Sequence, residues 1–306
     1  MNTSLHGRVV AAFGRQYEVV RLDAGDDTDN SRLTCYPRGK KSPYACGDEV
    51  DIAITADGQG VINALHPRQN LLWRSDAFRQ KLIAANLDQI VIVVATEPGF
   101  SDLLISRCTV AAESERMQAL IVLNKADLKS GLDKARARLA VFEQLGYPVL
   151  EVSALQDTSA LRAHLAGRRS ILVGQSGMGK STLTNALIPE AGAATREISA
   201  ALDSGKHTTT FARLYTLPES GWLIDSPGLQ AFGLAHVDPE ALVEHFPEFR
   251  PFNGGCRFRN CQHQAEPGCA LNEALAQGLI DPRRFEHYRL IREEILQAHQ
   301  ARQGWR

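Results

Sequence analysis

Apolar and polar positions along the chain follow two different rhythms. Over residues 1–66, short runs with apolar residues at alternate positions, GRVVAAF, QYEVVRL, RLTCYP, EVDIAITA and GVINALHP, are separated by turns rich in Gly, Asp and Lys. Period-two alternation gives each run one buried and one solvated face. Five such strands at this spacing predict a small β-barrel of the OB-fold type. The loop PRGKKS brings Arg38, Lys40 and Lys41 together. Basic OB loops often meet a nucleic-acid backbone, and a plain solvated hairpin carries the same residues.

From residue 67 to 237 the runs become continuous and apolar, QIVIVVAT, ALIVLNKAD, YPVLEVSA, RSILVG and GWLIDSPG, mostly with helix-length segments between them. Strands buried on both faces read this way, so the region predicts an α/β fold: a largely parallel sheet covered by helices, with ligands at the carboxyl ends of its strands. Residues 238–306 hold a Cys/His cluster and a helical tail. Asp281 is placed to cap that tail and Pro282 to begin it. Phe285, Tyr288, Ile291 and Ile295 recur at helical spacing, which predicts a face packed on the rest of its domain. Three domains, 1–66, 67–237 and 238–306, follow from these changes of pattern.

Composition narrows the classes. The 306 residues carry 34 Lys+Arg against 35 Asp+Glu, a formal net charge of −1. Global attraction to phosphate is therefore absent, and any nucleic-acid contact must come from local basic patches. The start MNTSLHGR has no apolar signal region, and QIVIVVA is too short to cross a bilayer, so a cytoplasmic protein without a membrane partner is expected. Cys35, Cys46 and Cys108 are scattered and read as buried thiols.

The segment GQSGMGKS, Gly174, Gln175, Ser176, Gly177, Met178, Gly179, Lys180 and Ser181, fits G-x-x-x-x-G-K-[ST] and lies between the strand SILVG and the helical run KSTLTNALI. Strand, loop and helix together mark a phosphate-binding loop: backbone N–H groups turn inward around phosphate oxygens, and the Lys180 ammonium adds a point charge. Ser181 is the predicted Mg²⁺ ligand, and Thr182 follows it in the binding segment. Asp225-Ser226-Pro227-Gly228 ends the strand GWLID. Asp225 is expected to support Mg²⁺ and Gly228 to sense the γ-phosphate. Asn124-Lys125-Ala126-Asp127 ends the strand ALIVL. A carboxylate at Asp127 accepts from both the N1–H and the 2-amino group of guanine, whereas adenine would leave it unsatisfied, so GTP is expected over ATP. Ser153 and Ala154 are placed to close the base pocket.

The order is unusual, because base reading and pocket closing come before the phosphate loop. Chain ends of a Ras-like domain lie close together, so joining them through a short linker such as AGRRS and opening the chain elsewhere preserves the site. The prediction is a circularly permuted GTPase. The residue after D-x-x-G is Leu229 rather than the Gln that often orients water, with Gln230 one place further on. Upstream, SGKHTTTFARL offers His207 to orient or deprotonate water, and Thr208 or Thr209 to complete the Mg²⁺ shell.

In the last domain, CRFRNCQHQAEPGC supplies Cys256, Cys261, His263 and Cys269. Three thiolates and an imidazole form a closed tetrahedral zinc set, structural rather than catalytic. Arg257 and Arg259, with Phe258 between them, are candidate RNA contacts, and Phe258 serves equally well as core.

The series OB-like barrel, NKAD, SA, GxSGxGKS, GKHTTT, DSPG and C-x4-C-x-H-x5-C resembles the ribosome small-subunit-dependent GTPase A family, RsgA or YjeQ, over nearly the whole chain. The resemblance implies a bacterial cytoplasmic GTPase that acts late in 30S maturation, is stimulated by that subunit, and contacts 16S rRNA through its OB and zinc domains. It also implies a monomer with one structural Zn²⁺ on Cys256, Cys261, His263 and Cys269, Mg²⁺ with GTP, GDP as product, and a catalytic part for His207. Lys206 stands where the family commonly has Arg, and Met178 where a smaller apolar residue is usual. The acidic loop DAGDDTDN looks lineage-specific beside that family's pattern, which counts against rRNA contact by that face. A P-loop kinase and a GTP-gated RNA-binding module with incidental hydrolysis are the competing readings; the guanine motif and DSPG argue against the kinase.

Overall fold

The computed structural model describes residues 4–23, 32–39, 43–75, 80–189, 191, 212–226 and 233–303. The period-two runs fold as predicted: β1 (Leu5–Phe13), β2 (Gln16–Arg21), β3 (Arg32–Pro37), β4 (Glu49–Ala56) and β5 (Gln59–Leu65). They pair in the order β1-β2-β3-β5-β4, and β4 returns to β1, which closes the barrel. Val9, Tyr17, Val19, Leu33, Cys35, Val50, Ile52 and Ile62 fill its interior. Closure leaves no open edge within this unit.

A short hairpin, β6 (Leu71–Ser75) with β7 (Gln80–Ala85), leads away from the barrel. It was not expected, because its runs mix charged with apolar residues and show no clean period. The central sheet then has the order β10-β9-β8-β11-β13-β12, where β8 is Gln89–Ala95, β9 Gln118–Asn124, β10 Val149–Glu151, β11 Arg169–Val173, β12 Arg213–Thr216 and β13 Trp222–Asp225. All neighbours are parallel except β12, which runs antiparallel to β13. Every residue of β8 is buried, as a strand covered on both faces requires. β12 is the second strand missed by pattern: four residues, RLYT, carry too little periodicity. It continues the sheet into the barrel through Ala11↔Arg213, where Arg213 Nη2 also donates to Glu18 Oε2 at 2.6 Å.

Helices α1 (Asp102–Ser114), α2 (Leu132–Gln144), α3 (Ser159–Leu165) and α4 (Lys180–Leu187) join these strands. The AGRRS linker is a tight turn from α3 into β11; Gly167 has φ 69° and Arg168 N–H returns to Leu165 O.

The C-terminal region consists of two 3₁₀ segments, Ala241–His245 and Pro247–Phe252, then α5 (Ala270–Ala276) and α6 (Pro282–Gln303). Asp281 Oδ1 accepts from the backbone N–H groups of Arg283 and Arg284, the N-cap expected from sequence. Phe285, Tyr288, Ile291 and Ile295 are buried. A polar clasp docks α6 on α1. Arg284, fully buried, donates from Nε to Glu248 Oε1 at 2.6 Å and from Nη1 to Ser106 Oγ at 2.7 Å, and its guanidinium lies 4.6 Å from the Phe246 ring centroid. His287 Nδ1 meets the same Ser106 hydroxyl at 2.8 Å. Burial, then the Arg284 charge, push the His287 pKa down to about 4, so this ring is neutral at physiological pH.

Candidate nucleotide and metal sites

The strands that carry the motifs end at one edge of the sheet. β9 pairs with β8 and β8 with β11, so Asn124 and the loop after Val173 leave the sheet on the same side. Asn124 is the junction. Its side chain, buried, donates from Nδ2 to Met178 O at 2.9 Å and accepts at Oδ1 from Ala154 N–H at 3.1 Å. One amide thus joins the base motif, the phosphate loop and the pocket-closing turn. Gly179 is needed at that contact: its φ is 88°, and a Cβ would collide with Asn124 Nδ2.

The base side is held by its backbone. Lys125 sits in the left-handed region at φ 60° and donates from Nζ to Glu97 O at 2.6 Å. Ala126 N–H donates to Val152 O, and Leu128 N–H closes a turn to Lys125 O. Asp127, half-buried, lies inside that turn. Ser153 Oγ is buried with no hydrogen-bond partner among the described residues. A buried hydroxyl without a partner is costly, and it suits a pocket completed by a polar ligand.

On the phosphate side, Lys180 Nζ folds over the loop and donates to Gly174 O at 2.6 Å and Gln175 O at 2.9 Å. Burial lowers its pKa, and nearby Asp225 opposes that shift. Asp225 is the mirror case: burial raises its carboxyl pKa, while Lys180 and Thr184 pull it down. Thr184 Oγ1 reaches Asp225 Oδ2 at 3.5 Å. A bound phosphate would stabilise the ammonium, and a divalent cation would stabilise the carboxylate. Ser181 is exposed in the first turn of α4, and Asp225 ends β13, so both fit as Mg²⁺ ligands. Met178 is buried and packs in the core while its carbonyl receives Asn124.

Three features escaped the sequence reading. Glu97 supplies the carbonyl that holds Lys125, Pro98 lies where a Cβ on Gly177 would touch it, and Ser101 N–H donates to Gln175 Oε1 at 2.9 Å. All follow the carboxyl end of β8, the position where ligands gather in such sheets; that placement was the available signal. His207, Thr208, Thr209, Gly228, Leu229 and Gln230 lie outside the described residues, as do Lys206, Lys40, Lys41 and most of the acidic loop.

The second site is the cysteine loop. One ligand atom from each of Cys256, Cys261, His263 and Cys269 lies within 4.8 Å of the others. His263 Nδ1 is 3.6 Å from Cys256 Sγ and 3.5 Å from Cys269 Sγ. His263 has φ 57°, and burial lowers its pKa, which favours the neutral imidazole that binds metal. Burial, with hydrogen bonds to its neighbour thiols, pushes the Cys261 thiol up to about 12. A soft cation reverses this, since a coordinating thiol is deprotonated. Three sulfurs and one nitrogen fit tetrahedral zinc. Phe258, 44% exposed, is not core; Arg257 lies 5.6 Å from its ring centroid, and Arg259 is exposed beside it. The scattered Cys35, Cys46 and Cys108 are buried thiols. Among the described residues no helix is long and apolar enough to cross a membrane.

Comparison with known proteins agrees with this geometry. The family model described as RsgA GTPase matches residues 65–235. A protein of Burkholderia pseudomallei strain K96243 named small ribosomal subunit biogenesis GTPase RsgA is 55% identical over 295 residues, covering 95% of this chain and 92% of that protein. One of the same name from Ralstonia nicotianae is 53% identical over 302 residues, covering 96% and 93%. Among solved structures, YjeQ from Thermotoga maritima superposes with a TM-score of 0.73 at 30% identity, covering 96% of this chain and 99% of that one. YloQ, described as a circularly permuted GTPase, gives 0.69 at 27% identity, covering 96% of each chain. With its barrel, permuted α/β core and Cys3His loop, the chain belongs to the RsgA GTPase family, hydrolases that act on GTP.

Proposed function

We propose that this chain hydrolyses GTP to GDP and phosphate as an assembly factor of the small ribosomal subunit, which stimulates its turnover. The observation that carries the nucleotide half is the Asn124 amide, which ties the guanine motif to the phosphate loop and to Ala154 despite their order in the chain. The relatives named small ribosomal subunit biogenesis GTPase support the partner.

In this reading Asp127 accepts from guanine, while Asn124 and Lys125 hold the turn that presents it. Gly174 to Thr182 wrap the phosphates, with Lys180 as the point charge. Ser181 and Asp225, with Thr208 or Thr209, would hold Mg²⁺, which neutralises charge developing on the phosphate oxygens. His207 orients or deprotonates water, and Gly228 senses the γ-phosphate. Without a Gln after D-x-x-G, unassisted turnover is expected on the order of 10⁻⁴ to 10⁻² s⁻¹, and a stimulating partner raises it by about 10³ to 10⁵. Cys256, Cys261, His263 and Cys269 hold one structural Zn²⁺, and the exposed Arg257, Phe258 and Arg259 meet 16S rRNA, together with Arg38 on the barrel. The working domains are 1–66, 67–237 and 238–306 in a cytoplasmic monomer.

Single-turnover hydrolysis with and without 30S particles tests the proposal. His207→Ala should keep GTP affinity and lose stimulation. A variant stimulated as strongly as the unaltered chain removes His207 from the reaction, and an unaltered chain that 30S particles leave unchanged refutes the assignment of the partner.

A further inference from the structure

The outer face of the barrel gathers a second set of metal-binding side chains. His6 on β1, Glu49 on β4 and His66 just after β5 each offer a ligand atom within 4.8 Å of the others. Strand register explains the meeting. Gly7 pairs with Val50 and Val50 with Leu65, so their sequence neighbours His6, Glu49 and His66 emerge together on the opposite face from buried Val50 and Ile52. His66 N–H bonds Glu49 O at 2.9 Å, which fixes these two side by side.

The charges around the set favour a cation. His6 Nε2 lies 3.3 Å from Glu49 Oε2, yet that nitrogen is buried without a hydrogen bond of good geometry among the described residues. His66 Nε2 meets Asp51 Oδ1 at 2.8 Å. Arg8 Nη2 holds the other Glu49 oxygen, Oε1, at 3.1 Å, which leaves Oε2 turned toward His6. Two carboxylates, Glu49 and Asp51, thus stand beside the two rings against one guanidinium, Arg8.

We propose that His6, Glu49 and His66 form a second site for a divalent ion of the zinc, cobalt and nickel class, with Asp51 orienting His66. Two imidazoles and a carboxylate are the donor set such borderline ions take, and a carboxylate behind a ligating imidazole raises its basicity. The two rings are stacked at 4.7 Å with 9° between their planes, so their nitrogens stand side by side. An entering ion turns one ring until both lone pairs converge. The side chains are 39% and 36% exposed, which leaves room for that turn. This site differs in kind from the cysteine loop: it has no sulfur, it is partly open, and it stands on a barrel closed by the pairing of β1 with β4.

The test is elemental analysis of the untagged full-length chain after equilibration with micromolar free Zn²⁺. The expected result is two zinc ions per chain in the unaltered protein and one in His6→Gln/His66→Gln. Asp51→Asn should weaken the second site by about 10- to 100-fold. Unchanged melting and GTP turnover certify the double variant. A measurement on the unaltered chain needs no variant: Co²⁺ added to protein carrying a single zinc equivalent, which the cysteine loop takes first, should broaden the ring-proton signals of both His6 and His66, with ligand-field absorption and no thiolate charge-transfer band. One zinc per chain in the unaltered protein, two in the double variant, or unbroadened His6 and His66 signals would overturn the proposal.

Discussion

The nucleotide pocket and the cysteine loop are assembled on opposite principles. In the first, the groups stand at the ends of strands whose register is set by a buried sheet, and protein–protein hydrogen bonds from Asn124, Lys125 and Lys180 hold them before any ligand arrives. In the second, the ligands sit in irregular backbone with His263 at φ 57°, and its Nδ1 approaches two of the sulfurs at 3.5 and 3.6 Å. The sheet therefore preorganises one site, whereas the other, on the proposed reading, relies on an ion to hold its ligands together. Chain order matters little to the former and local sequence spacing decides the latter.

Removing the ion should give the largest separation between the two. Structural zinc supplies about 10–16 kcal/mol at neutral pH, comparable to the whole stability of a small domain. A strong chelator is expected to abolish protection of amides over residues 254–272 in hydrogen exchange while those of β8, β9 and β11 stay protected. Equal loss in both regions would erase the contrast.

The clasp between α6 and α1 is the next largest. Glu248→Ala strands the fully buried Arg284, and breaking a buried pair on one side costs about 3–5 kcal/mol. Denaturant melts should show that loss. Arg284→Met, which removes the charge as well, should cost less than Glu248→Ala. The reverse order would mean that the pair acts mainly through shape.

The smallest effect is in pH. Because burial raises the Asp225 pKa above 3.8, protonation sets in at a higher pH than for an exposed aspartate. A protonated carboxyl is lost to the metal, so Mg²⁺-dependent GTP affinity should fall as pH is lowered through that raised value. Nucleotide titrations across mildly acidic pH measure it, and Asp225→Asn should give weaker binding with a flatter profile.

Much of this was legible in the chain. The five barrel strands, the all-apolar runs and the Asp281-Pro282 helix start carry their periodicity or cap chemistry locally, and the structure places them within a residue or two of the pattern. The nucleotide motifs were legible because each one keeps its own strand-end context wherever the chain is opened. What escaped had no local signature. β12 is four residues long, the β6–β7 hairpin interrupts its apolar pattern with Arg74 and Lys81, and the Arg284–Glu248–Ser106 clasp joins residues far apart in sequence. A buried arginine on an otherwise apolar helix stripe looks like any solvated cation until its partners are seen. The His6, Glu49 and His66 set is invisible for the same reason, since only barrel closure brings its members together.

The central claim is that residues 124–127, ahead of the phosphate loop in the chain, read the guanine base of the nucleotide that loop holds. Asp127→Asn tests it most directly. The asparagine amide loses the double acceptance from guanine and gains a donor for the 2-carbonyl of xanthine, so GTP affinity should fall by about 1.5–3 kcal/mol, on the order of 10- to 100-fold, while xanthosine triphosphate binding improves. Unchanged GTP affinity in that variant, with no gain for xanthosine triphosphate, would contradict the account.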